Sequence, residues 1–141
     1  MNNETPLTNS IESYRNTIEH NGSFLQCICH GLAKEAGWWT DLKTGEPIDP
    51  DTPHLFAAKL ALIHSEISEA MEGDRKKLKD DKLPHRTMRE VELADALIRI
   101  FDLAGACRMD LGGAIAEKLI FNASRPDHKP ENRAKEGGKA Y

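Results

Sequence analysis

Four carboxylates in two short runs are the residues of this chain best suited to chemistry: Glu66 and Glu69 in HSEISEA, then Glu92 and Asp95 in VELADAL. Each pair is spaced i, i+3, which on a helix puts both members on one face. At about 100° per residue, Glu92, Asp95, Arg99 and Asp102 share an arc of roughly 80°. Val91, Leu93, Ala94, Ala96, Leu97, Ile98, Ile100, Phe101, Leu103 and Ala104 fill the rest. A helix apolar on nearly every side is expected to be buried. Its acids then point inward, where an unpaired charge is too costly to keep. A cationic partner is therefore required. Glu66 and Glu69 flank Leu55 and Leu62 on their own wheel, at an edge of burial. Four such acids from two packed helices form a hard oxygen site, suited to Mg²⁺ or Mn²⁺ and to substrate phosphates bound with the ion.

Plainer readings compete. Glu66 and Glu69 could be a solvated helix face, and Asp95 could simply pair with Arg99 at i, i+4. The first leaves the enclosed second pair unexplained, and the second accounts for one acid of four. A di-iron bundle would need Glu-x-x-His pairs, which neither acidic segment has. Zinc at Cys27, Cys29 and His30 is a weaker rival, because CxCH lacks the two-residue gap of structural zinc sites. His30 and His64 are expected to satisfy local hydrogen bonds rather than to bind metal.

The elements that must position these acids read as helices. Phe24, Leu25, Ile28 and Leu32 predict a helix over 23–36 stopped by Gly37, with a shorter helix over 11–20 ahead of it, interrupted at Asn21-Gly22. Residues 37–53 are dense in turn formers and predict a loop. Thr52-Pro53 supplies a start signal for a second helix reaching about Glu72 and ending at Gly73. Its expected core stripe is Phe56, Leu60, Ile63, Ile67, Ala70 and Met71. Residues 74–86 read as a solvated connection, followed by helices over 87–108 and 111–124. The prediction is an all-α, four-helix-bundle-like fold, with helices two and three antiparallel and carrying the acidic site. It divides into an N-terminal extension (1–22), the helical domain (23–125) and a polar tail (126–141).

Composition sets the limits. With 141 residues, 39% hydrophobic and 30% charged, the chain matches one globular domain. No apolar run approaches the roughly 20 residues of a membrane span. A net charge of −4 argues against general nucleic-acid affinity. MNNETPLTNS lacks the basic start and apolar stretch of a secretory signal. Three cysteines without CxxC spacing fit free thiols in a reducing compartment, so a cytoplasmic protein is expected.

The run SEISE, a 22-residue spacer and ELAD resembles the ExxE…ExxD signature of the MazG-like all-α nucleotide pyrophosphohydrolases. GWW at 37–39 followed by LALIHSEISEAMEGDR is similar to small members, including phage-type ones. EKLIFNASRP…GGKAY resembles the family's closing stretch. The acidic motif alone is degenerate, whereas three blocks in order across 24–141 are more specific. Ser65 stands where the family often has a first Glu, which bears on how many metals bind.

The resemblance implies Mg²⁺-dependent hydrolysis of a nucleoside triphosphate, with a deoxynucleoside triphosphate expected, to monophosphate and pyrophosphate. Glu66, Glu69, Glu92 and Asp95 would hold the metal, and Glu66 and Glu69 are the catalytic candidates, with Glu69 the choice for orienting the attacking water. Lys118, Asn122 and Arg125, at i, i+4 and i+7, would bind phosphate or sugar. The plainer reading has the two basic groups complementing the helix dipole. Lys139 in GGKAY could close over the phosphates, and Arg75 is an outside candidate. Of Trp38 and Trp39, one is expected to pack and the other to stay partly exposed, available to stack on a base. The broadly apolar third helix, like the resemblance, points to a homodimer or homotetramer. A catalytically silent nucleotide-binding bundle and a purely structural helical protein are the alternatives.

Overall fold

Asn21-Gly22 does not break the first helix. In a computed structural model describing residues 6–139, α1 runs uninterrupted over Pro6–Glu35. Gly22 is there for closeness: a Cβ added to it would lie 2.6 Å from Gly112 Cα, and one added to Gly112 would lie 2.5 Å from Glu19 O. A missing side chain at this crossing admits another backbone. The helix therefore keeps its hydrogen bonds where turn propensity alone predicts a break. Gly37, with φ 83°, ends α1 as expected, and Trp38 N–H closes back onto Ala33 O at 3.0 Å.

The other helices are α2 (Leu55–Lys76), α3 (Met88–Ala106), α4 (Leu111–Ser124) and the short α5 (Pro130–Arg133), with a 3₁₀ turn over Pro126–His128 between α4 and α5. The architecture is all-helical. Among the described residues the extended pairings are two isolated bridges, Thr40 with Pro47 and Lys79 with Thr87. No described helix is long and apolar enough to cross a membrane. The fold differs from expectation at both ends of α2. His54, in a left-handed conformation (φ 68°), precedes the helix, so it begins after Thr52-Pro53. Its last turn passes through Gly73 and ends at left-handed Lys77 (φ 54°), with Leu78 N–H donating to Gly73 O at 3.0 Å. Gly73 serves packing here, since a Cβ would meet Met88 Cβ at 2.9 Å. The polar end of the chain, expected to be a tail, forms the 3₁₀ turn and α5.

Contacts divide the chain into two compact units. Leu25–Met109 forms one, holding the end of α1, the following loop, α2 and α3; the described residues before and after it form the other. In the first unit α2 and α3 pack as an antiparallel hairpin. Gly73 and Asp74, near the end of α2, meet Met88 and Arg89 at the start of α3, whereas Glu66, earlier in α2, pairs with Arg99, later in α3. The connection is held by Asp80. This buried carboxylate accepts from Lys82 N and Leu83 N at 3.0 and 2.5 Å, a local turn ahead of Pro84. A small core of Trp39, Leu103 and Ala106 packs with Ala33, Ile48, Leu55 and Ile63.

The apolar helix α3 is not enclosed on all sides within one chain. Leu93, Leu97 and Ile98 are about half exposed. So are Phe56, Leu60 and Ile67 on α2, and Met71 there is mostly open; the apolar residues 24, 25, 28 and 32 of α1 are exposed too. A two-helix layer covers one side of each helix, and periodicity alone does not say which side.

Candidate metal and nucleotide site

Hairpin register brings the acidic runs together. Glu66 and Glu69 lie one turn apart on α2, and Glu92 on α3 faces them; one carboxylate oxygen from each lies within 4.8 Å of those of the other two. Glu66 and Glu92 are buried and Glu69 is exposed, so the trio opens on one side. Three acids this close together could hold a metal ion, and hard oxygen donors are of the type that suits Mg²⁺ or Mn²⁺. The donors fit such an ion. Asp95 stands outside this set; it lies one turn beyond Glu92 and lines the adjoining cavity. The Ser65 hydroxyl donates to Leu62 O at 2.7 Å on its own helix.

Electrostatics mark the same place. Burial, then a proton shared with Glu66, then repulsion from Glu69, Glu66 and Asp95 push the Glu92 carboxyl up to about 7. Burial also raises Asp95, helped by the charges of Glu66 and Asp80 and opposed by Arg99. The i, i+4 partnership of Asp95 with Arg99 gives way to a pair across the hairpin. Arg99 Nε lies 2.7 Å from Glu66 Oε1.

Beside the acids lies a cavity of about 430 Å³, lined by Trp38, Lys59, Leu62, Asp95, Arg99 and Asp102 among others. The two tryptophans divide as their adjacency requires. Trp38 is 71% exposed at the cavity and free to stack, whereas Trp39 is 5% exposed and belongs to the core. Trp39 Nε1 and His30 Nδ1 both donate to Asp102 Oδ1, at 2.7 and 2.9 Å. His30 meets the Trp39 ring edge-on at 5.6 Å, and Lys59 Nζ lies over that ring at 4.4 Å. Trp39 therefore stands behind Asp102 and Lys59, which line the cavity. Lys59 and Asp80 are the residues that motif reading missed. Lys59 had a signal, standing seven residues before Glu66 and so on the same face of α2; Asp80 could be placed only by the folded loop.

The C-terminal candidates occupy the other unit. Lys118 Nζ lies 4.8 Å from the Phe121 ring centroid and the Arg125 guanidinium 6.0 Å from it, so those two share one face as predicted. Arg125 turns its fork onto Asp127, at 2.9 and 2.6 Å, and Lys139 Nζ reaches the same carboxylate at 2.7 Å. Both cations hold Asp127 well below the usual carboxylate range. Asn122 lines a separate, mostly apolar cavity with Leu7, Ile11 and Leu119, and its Oδ1 is buried without a hydrogen-bond partner. Arg75 pairs with Glu72 on its own helix. Cys27, Cys29 and Cys107 are free thiols, and the group of acids and thiols close enough to hold a metal among the described residues is the Glu66, Glu69, Glu92 trio.

Comparison with protein-family models, with characterised proteins and with solved structures found no match.

Proposed function

We propose that the chain is a Mg²⁺- or Mn²⁺-dependent nucleoside triphosphate pyrophosphohydrolase. The observation that carries this reading is the convergence of Glu66, Glu69 and Glu92 from two helices, with Glu66 paired to Arg99, which lines a cavity together with Lys59 and the exposed Trp38. Deoxynucleotides are the proposed substrates, following the sequence resemblance. A bound divalent ion would neutralise phosphate oxygens and lower the pKa of a coordinated water. Glu66 and Glu92 are the enclosed holders of that charge. Glu69, the exposed member, would orient a water and accept its proton. The water oxygen bonds to the α-phosphorus, the bond to the α–β bridging oxygen breaks, and pyrophosphate leaves. Trp38 offers a face for the base, and Lys59 offers a positive charge within the same cavity. Asp95 flanks the phosphate side.

A nucleotide-binding bundle without turnover is the competing reading, and it draws on Ser65, which stands where the resemblance often has a Glu and whose hydroxyl donates to its own helix. Incubation with each (d)NTP and Mg²⁺, with separation of nucleotide products, decides between them. Monophosphate with pyrophosphate supports hydrolysis, tight binding without products supports the silent bundle, and neither result removes both. The active form is proposed to be a homodimer or a tetramer of dimers, supported by the uncovered apolar faces of α2 and α3.

A further inference from the structure

Arg99 and Glu66 form a lopsided pair. Glu66 is one of the three converging acids and its side chain is 9% exposed, while that of Arg99 is 44% exposed. The guanidinium thus reaches a buried acid from the rim, standing one turn past Asp95 and two turns past Glu92 on α3. The same side chain lines the cavity that holds Trp38 and Lys59. It therefore borders two anionic destinations: the carboxylate trio, and whatever phosphate enters beside it. Lys59 is already committed over the Trp39 ring, which leaves Arg99 as the cation of this cavity whose present partner is itself a candidate metal ligand.

We propose that Arg99 is an exchangeable counter-ion, which holds Glu66 until a divalent cation binds the trio and then passes to a phosphate oxygen of the triphosphate. The idea rests on the metal-dependent reading above and adds a residue and a sequence of events to it. A divalent ion on Glu66 satisfies that carboxylate and repels the guanidinium at close range. Phosphate is the natural second partner, because a planar guanidinium can bind it through two parallel N–H donors. Arg99 in this scheme binds substrate and leaves the attack on phosphorus to other groups.

The experiment compares the native chain with Arg99→Gln and Arg99→Lys. Manganese affinity is read by electron paramagnetic resonance without nucleotide. Binding of an α,β-imido triphosphate, and of the matching nucleoside, is read by calorimetry with manganese present. Arg99→Gln should bind manganese about two- to fivefold more tightly, since an exposed competing ion pair is removed. It should bind the triphosphate analogue about tenfold more weakly, with nucleoside affinity unchanged. Arg99→Lys keeps the charge, so it should hold manganese affinity near native and lose triphosphate affinity alone. Unchanged or weaker manganese binding by Arg99→Gln, or unchanged triphosphate binding by both variants, overturns the exchange. Should Arg99→Gln fail to melt cooperatively, the lysine variant decides by its triphosphate affinity. A native chain that takes up no manganese removes the metal-dependent function itself, and the exchange with it.

Discussion

Glu92 is the residue at which burial and charge conflict most directly. Its carboxyl ionises near 7 in the folded chain, against an ordinary 4.5. Because the folded value is raised, the folded state holds the proton more tightly than the unfolded one over that interval. Glu92 therefore stabilises the fold relative to its ionised form at low pH, and this contribution is lost as pH rises from about 4.5 to 7. In EDTA, the melting temperature of the native chain should fall through that window more than that of Glu92→Gln, and parallel curves would contradict the assignment. Mg²⁺ should stabilise the native chain more at pH 8 than at pH 5, because protons and metal compete for the same oxygens. Glu66 tests the site from the other helix. Glu66→Gln should lower turnover by about 10²-fold or more with the circular dichroism spectrum unchanged, and an undiminished rate would exclude its role.

The elements owe their course to side chains that are absent as much as to those present. α1 passes through Gly22 because a crossing with Gly112 requires it, and α2 passes through Gly73 because Met88 lies against it. Glycine inside a helix otherwise costs about 0.5–1 kcal/mol relative to alanine. The two helical glycines of α1 should thus respond in opposite directions. Gly22→Ala forces a Cβ into backbone at 2.6 Å and should destabilise by about 1–3 kcal/mol. Gly31→Ala meets nothing within 4 Å and should stabilise by about 0.5–1 kcal/mol. Urea unfolding of both variants checks the pair. Destabilisation by Gly31→Ala as large as that by Gly22→Ala would mean that propensity arguments do not hold along this helix.

At the scale of the molecule, uncovered apolar surface is the dominant fact. Phe56, Leu60, Ile67 and Met71 lie along one face of α2, and Leu93 and Leu97 lie one turn apart on α3. Such stripes are seldom left to water. A second copy is the simplest cover, since a two-fold axis lets the same hairpin face pack against itself. Sedimentation at micromolar concentration should show a dimer or tetramer. Leu97→Asp, at a residue 54% exposed in the isolated chain, should shift it towards monomer. A native chain that sediments as a monomer would remove the assembly proposal and leave the carboxylate trio untouched.

Period and punctuation were enough to read the helices over 55–76, 88–106 and 111–124 within a few residues, and to place Glu66, Glu69 and Glu92 on facing elements. Those properties are local: spacing of i, i+3 fixes a helical face whatever surrounds it. Partners distant along the chain were decided by tertiary structure. It sent Arg99 to Glu66 rather than to Asp95, set Asp95 beside the trio rather than in it, and gave Trp39 and His30 to Asp102. It also turned Asn21-Gly22 from an expected break into a helix crossing. Each of these outcomes depends on which faces meet and how closely, and a one-dimensional pattern records neither.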